Sequence, residues 1–152
     1  METIATSVGE GKYATGISSI IEAQERIRSF AHRTPIKGGA FKFRGACSAV
    51  FSLDDAKAGN GVVTHSSGNH GAALSLAAKL RGIPAYVVIP KNAPQCKVDN
   101  VLRYGGKVIR SEPTVESREL AAEKLVKETG ALLVHPYNDE RVIRYQIRPH
   151  IF

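Results

Sequence analysis

Two short stretches hold the residue types that could do chemistry. The first is Thr64-His65-Ser66-Ser67-Gly68-Asn69-His70-Gly71. Hydroxyls, an amide and an imidazole fall together between Ser66 and His70, with glycines on either side of Asn69-His70. Glycine lets a backbone approach a ligand closely. The apolar run Gly61-Val62-Val63 before it reads as a strand, and Ala72-Ala73-Leu74-Ser75-Leu76-Ala77-Ala78-Lys79-Leu80 after it is made of strong helix formers. A loop at that junction aims the unpaired N–H groups of a helix start at whatever sits there, which suits a phosphate or a carboxylate. A polar turn that only caps the helix is the competing reading.

The second stretch is Lys37-Gly38-Gly39-Ala40-Phe41-Lys42-Phe43-Arg44-Gly45-Ala46. Its pattern predicts a helix from about Phe43 to Leu53, with Ala46, Ala49, Val50 and Leu53 on one face. Lys42 stands at the start of that helix between two phenylalanines. A helix N-terminus disfavours a cation, and apolar neighbours favour the neutral, nucleophilic amine. Such an amine suits imine chemistry. A surface lysine whose stem lies along apolar groups is the commoner arrangement.

The elements that must position these residues follow a regular order. Strands are predicted at Val62–Thr64, Ala85–Ile89, Lys107–Arg110 and Ala131–Val134. A helix from Asn69 to Arg81 stops at Gly82-Ile83-Pro84. Another is capped by Asn92, has Pro94 in its first turn, carries Val98, Val101 and Leu102 inward and ends at Gly105-Gly106. A third starts between Ser111 and Thr114 and ends at Gly130. It has Glu116 and Glu119 early, Lys124 and Lys127 late, and Ala122, Leu125, Val126 and Thr129 facing inward. Short apolar strands alternating with helices imply an α/β fold, a parallel sheet flanked by helices in three layers. Ligands of such sheets bind beyond the carboxyl ends of the strands, where Ser66–Gly71 falls. Upstream, residues 1–16 read as a loose arm, and Ser18 or Ser19 caps a helix running to about Ala31. At the other end, 141–152 mixes bulky apolar and basic residues without period and reads as a frayed end.

Composition narrows the class. With 152 residues and 43% hydrophobic content, the chain can build one ordinary domain with a core. The net charge of +7 is scattered and interleaved with acids rather than gathered in a basic block, so a nucleic-acid partner is not expected. No apolar run is long enough to span a bilayer, and the N-terminus has no secretory pattern, so no membrane is expected and the location is read as cytoplasmic. Cys47 and Cys96 form neither a metal motif nor a disulfide framework.

Taken together, the two stretches resemble the serine racemase and threonine (serine) dehydratase family of fold-type-II pyridoxal-phosphate enzymes. The segment around Lys42 is similar to the family's cofactor-lysine segment. Ser66-Ser67-Gly68-Asn69-His70-Gly71 is similar to its substrate- and ring-contacting loop, and Leu80-Arg81-Gly82-Ile83-Pro84-Ala85-Tyr86 adds to the likeness. The resemblance covers about residues 17–143. It implies that Lys42 forms the imine with pyridoxal 5'-phosphate, that Phe41 stacks on the pyridine ring, and that Asn69 hydrogen-bonds its phenolic oxygen. By the same resemblance, Ser66, Ser67, Gly68, Asn69 and His70 would hold the substrate carboxylate, and Ser67 would face the substrate Cα opposite Lys42. An acid and a base on opposite faces of a carbanion racemise serine, and loss of the hydroxyl from that carbanion releases ammonia. The implied substrates are L-serine, D-serine and L-threonine, and the implied assembly is the family's homodimer.

The sequence departs from the family pattern in places. Thr34-Pro35 runs almost directly into Lys37, where the family has a longer segment. After Ile143 stands Arg144-Tyr145-Gln146 in place of a Gly-Gln-Gly run. The family's phosphate loop, ring-nitrogen partner and divalent-cation (Mg) ligands have no counterpart here, so no metal ligand is assigned. The expectation is a truncated isoform of very low activity: a loose arm over 1–16, a fragment of the large domain with the cofactor lysine over 17–61, a small α/β domain over 62–136, and a divergent tail over 137–152. The alternative is a non-catalytic domain that pairs with a full-length relative.

Overall fold

A computed structural model describes residues 21–22, 25–29, 40–66 and 68–146. The expected N-terminal arm, Ser67 and residues 147–152 of the tail lie outside the described residues, as does the side chain of Phe41. Of the expected helix ending near Ala31, residues 21–22 and 25–27 are helical, and Ile27 is buried.

The frame is a parallel sheet of β1 (Val62–His65), β2 (Ala85–Pro90), β3 (Lys107–Ser111) and β4 (Leu132–Leu133), in the order β3-β2-β1-β4. The register pairs Val62 with both Ala85 and Leu132, and Tyr86 with Lys107. The expected strands are all present and all parallel. Among the described residues from 40 onward, the strands are accompanied by the helices α1 (Ala40–Phe51), α2 (Asp55–Ala58), α3 (Asn69–Arg81), α4 (Gln95–Arg103), α5 (Val115–Thr129) and α6 (Glu140–Gln146).

Strand alternation sorts the core by face. Val62 and Ala85 pack with Leu74 and Ala77 of α3, Ala46 and Val50 of α1, and Val142 of α6. Val87 and Ile89, on that same side of β2, meet Val98 and Val101 of α4. Val63 and Val88 point the other way, onto Ala122, Leu125 and Val126 of α5. The result is the three-layer arrangement the pattern implies.

Helix ends follow their chemistry. Thr114 caps α5 by accepting the Ser117 N–H at 3.2 Å, and Gly130 closes it with φ +70°. Gly61 enters β1 at φ +89°, where a Cβ would collide with the Pro84 carbonyl oxygen. Arg81 reaches back to α1: its guanidinium donates to the carbonyls of Val50 and Leu53 and pairs with Asp55.

Four expectations need correction. Helix α1 begins at Ala40 rather than Phe43, so Lys42 lies inside its first turn. Asn92 does not cap α4. That helix starts after Pro94, whose φ −54° and ψ 137° give an extended cap without a side-chain bond. Leu102 is 53% exposed, because it lies about 100° round the helix from Val101, past the groove. The start of the expected frayed end is helix α6, with Val142 fully buried against α1.

Candidate functional site

The strand order locates a crevice. From β1 the chain steps outward to β2 and β3, and β4 then pairs with the opposite edge of β1. The carboxyl ends of β1 and β4 therefore diverge into loops at the point where the order reverses, which is where open α/β sheets bind ligands. The β1 end supplies His65, Ser66 and the start of α3. The β4 end supplies His135 to Asp139. Helix α1 brings Lys42 to the same place, with its Nζ 5.4 Å from the centre of the Tyr137 ring.

Ser66 and Gly68 lie between β1 and α3, and Asn69, His70 and Gly71 form the first turn of that helix. The Ser66 hydroxyl accepts the Gly68 N–H at 3.3 Å, and Asn69, the first residue of α3, is exposed. Gly71 sits where only glycine fits, because a Cβ would lie 2.7 Å from Val87 Cγ1. The Lys97 side chain covers Gly68 from α4.

His70 does not line the loop as an open contact. It lies in the first turn of α3 with 3% exposure, and neither ring nitrogen makes a well-aligned hydrogen bond among the described residues, although the Val134 backbone is close enough to favour a proton on the ring. Burial lowers its pKa to about 4, helped by the nearby Lys42 and, to a smaller extent, His135. The Val134 carbonyl and Asp139 favour the charged form and lose. His70 is a neutral imidazole with one N–H to give and one lone pair to offer, close to Lys42.

The opposite wall is a tightly bonded turn. His135 Nδ1 accepts the N–H groups of Tyr137 and Asn138, each at 3.1 Å. Asp139 is buried, accepts the Arg141 N–H at 3.0 Å, and is gripped by the Arg141 guanidinium, which also reaches the Leu133 carbonyl. The His135 ring meets His65 edge-on at 5.0 Å and Tyr137 at 6.0 Å.

His65, Glu119 and His135 bring ligand-type atoms within 4.8 Å of one another. The tautomer of His135 opposes a metal there. Its Nδ1 lone pair faces two N–H groups, so Nε2 carries the proton. A cation would have to displace those N–H groups or that proton. Burial, then His135, lower the pKa of His65 against the pull of Glu119. The trio is a polar cluster bracing the ends of β1 and β4.

The family model for pyridoxal-phosphate dependent enzymes matches residues 31–148. The chain belongs to that family. Serine racemase of Arabidopsis thaliana is 59% identical over 157 residues, covering 89% of this chain and 47% of that protein. A beta-hydroxyaspartate dehydratase of Paracoccus denitrificans is 47% identical, over 88% of this chain and 50% of that protein. The structure of maize serine racemase superposes with a TM-score of 0.83 at 47% identity, over 88% of this chain and 47% of that one. The chain thus spans about half the length of the curated relatives it matches. The stretch aligned with the Arabidopsis enzyme is longer than this whole chain, so these family members hold extra residues within the aligned region.

Of the residues singled out from sequence, Lys42, Ser66, Gly68, Asn69 and His70 come together at the crevice. Ser67 and the Phe41 side chain lie outside the described residues. Sequence reasoning missed His135, Tyr137 and Asp139. The rule that sent attention beyond the end of β1 applies equally beyond the end of β4, where His135-Pro136-Tyr137 stands.

Proposed function

We propose that this chain is the part of a serine racemase-like enzyme that carries the reactive lysine and the substrate loop, acting on L-serine, D-serine or L-threonine by Cα proton abstraction. The observation that carries the reading is the convergence of Lys42, neutral His70 and the helix-start loop at the strand-order reversal. The names of the most similar relatives, serine racemases and a hydroxyaspartate dehydratase, support the substrate class.

The residues present fit pyridoxal phosphate in part. His70 offers an unpartnered nitrogen, and Lys42 offers an amine beside it. When bound, pyridoxal phosphate supplies an aldehyde for that amine and an electron sink that acidifies the substrate Cα–H. In this reading Phe41 would stack on the ring and Asn69 would hydrogen-bond its phenolic oxygen. Loop N–H groups, the hydroxyls of Ser66 and Ser67, Gly68 and Asn69 would orient the substrate carboxylate, with His70 acting from its buried place in the first turn of α3. Lys42 Nζ takes or returns the Cα proton on one face and Ser67 Oγ on the other. Proton exchange across both faces inverts the centre. When the β-hydroxyl leaves instead, taking a proton as water, the enamine that remains would tautomerise to an imine, and a second water would hydrolyse it to ammonia and a 2-oxo acid. The reading includes a cytoplasmic protein, a homodimeric assembly and a truncated isoform. The reading assigns no residue of this sequence to the family's divalent cation.

The 152-residue polypeptide alone should turn over serine very slowly. A dianionic phosphate needs a nest of N–H groups, and the sequence has no glycine run like the family's phosphate loop. Each charge-assisted hydrogen bond contributes roughly 1.5–3 kcal/mol, so several together change affinity by orders of magnitude. The test is borohydride reduction of the purified chain with pyridoxal phosphate, mapping by mass spectrometry, and assay of D-serine and pyruvate on the same sample. Selective labelling at Lys42 with negligible turnover is expected. Labelling spread over surface lysines would defeat the site assignment, and turnover at family level would defeat the phosphate argument.

A further inference from the structure

Tyr137 is 71% exposed, although it is a large aromatic side chain at the mouth of the crevice. Core packing does not account for its position. The turn beneath it does, since His135 Nδ1 accepts its N–H and that of Asn138 at 3.1 Å. The turn places the ring 5.4 Å from Lys42 Nζ, inside the range of a cation–π contact. His135 in turn rests edge-on against His65, the last residue of β1. A chain of contacts thus runs from the centre of the sheet through His135 and Tyr137 to the reactive amine.

We propose that Tyr137 is a positioning residue for Lys42: its ring, fixed by the acceptor at His135 Nδ1, holds the charged amine at the mouth of the crevice. The ring face attracts an ammonium and has no comparable attraction for a neutral amine. An amine resting on the ring face is not presented to an aldehyde, so Lys42 leaves the ring in order to react. The inference rests on the reading of Lys42 as the aldehyde-binding lysine.

The experiment compares rates of Lys42 modification in the full chain, with exposed Lys57 as internal reference. Two reagents are used in parallel: pyridoxal phosphate with borohydride, and acetic anhydride, which reads the amine without any aldehyde. At fixed neutral pH, Tyr137→Leu should react at Lys42 about two- to five-fold faster than the parent, the range set by an exposed cation–π contact. Tyr137→Phe keeps the ring and should match the parent. His135→Phe removes the acceptor and should behave like Tyr137→Leu, whereas His135→Asn, which can accept the N–H two residues on, should restore the parent rate. Because Tyr137 is so exposed, its substitution leaves the core intact, which circular dichroism verifies. Equal rates in parent and Tyr137→Leu overturn the proposal. So does a Tyr137→Phe rate as fast as Tyr137→Leu, which would assign the effect to the hydroxyl, and so does slower reaction in Tyr137→Leu. If pyridoxal phosphate ignores Lys42 in every protein while acetylation keeps the predicted order, the functional reading falls and this inference stands.

Discussion

His70 should make the protein acid-sensitive in a way that one substitution removes. Its pKa falls from 6.5 to about 4 on folding because burial penalises the charged ring. A depressed histidine binds its proton more readily in the unfolded chain. Stability therefore rises with pH across the window between about 4 and 6.5, is fully present above 6.5, and is lost as pH falls through that window. A tenfold difference in proton affinity between the folded and unfolded chain corresponds to about 1.4 kcal/mol, so the loss attributable to His70 is about 2 kcal/mol at pH 5 and about 3 kcal/mol near pH 4. That is a large share of the roughly 5–15 kcal/mol that holds a domain together. The ring is almost wholly buried, so solvent screening takes little from this figure. Other groups also titrate there, His65 among them in the same direction. The variant His70→Gln isolates the contribution. Urea unfolding at pH 4, 5, 6 and 7, followed by circular dichroism since the chain has no tryptophan, should give parent and variant curves that converge as pH falls. Parallel curves across that range would mean that His70 is not held neutral in the fold.

Two further outcomes follow from packing and thiol chemistry. Gly71→Ala should destabilise the protein by about 1–2 kcal/mol in the same unfolding assay, because a Cβ 2.7 Å from buried Val87 Cγ1 overpacks the core by more than the helix gains from alanine. Cys96, exposed in the first turn of α4, should be alkylated well before Cys47, whose thiol burial pushes up to about 12. Mass mapping after brief iodoacetamide treatment checks this, and first labelling at Cys47 in folded protein would contradict its place in the core.

Much of the frame was legible because its signals are local. Gly82, Gly105 and Gly130 adopt positive φ where helix ends are read from the sequence, and the short apolar runs that follow are the strands. The features that were not legible depend on contacts distant in sequence. Helix α6 has little amphipathic pattern of its own, and Val142 is buried only because α1 happens to lie there. Leu102 falls at a helical spacing compatible with the Val98–Val101 face, and only the width of the groove under α4 leaves it outside. Lys42 stands out from its own local pattern, yet its neighbour Tyr137 could not, because nothing local says that β4 pairs with β1. His70 reads as a loop contact in sequence, and only the packing of α1 and β4 around it shows a buried, neutral ring.

A ribosome releases β1, β2 and β3 in the order in which they pair, so each new strand finds its neighbour already made. The fourth strand breaks that rule. It must return to an edge of β1 left open during the synthesis of two intervening strands and three helices, and long-range closure of this kind is slow. Until it docks, the nascent chain shows the unpaired edge of Val62–His65, a template for pairing with other chains. The turn from His135 to Asp139 arrives only with that strand, so the crevice is the last part of the sheet to be assembled. Pulsed hydrogen exchange during refolding should accordingly protect the Val62 and Ser66 amides, bonded to Pro84 and Val88, before those of Leu132 and Val134, bonded to Gly61 and Val63. Simultaneous protection would mean that the two edges of β1 close together.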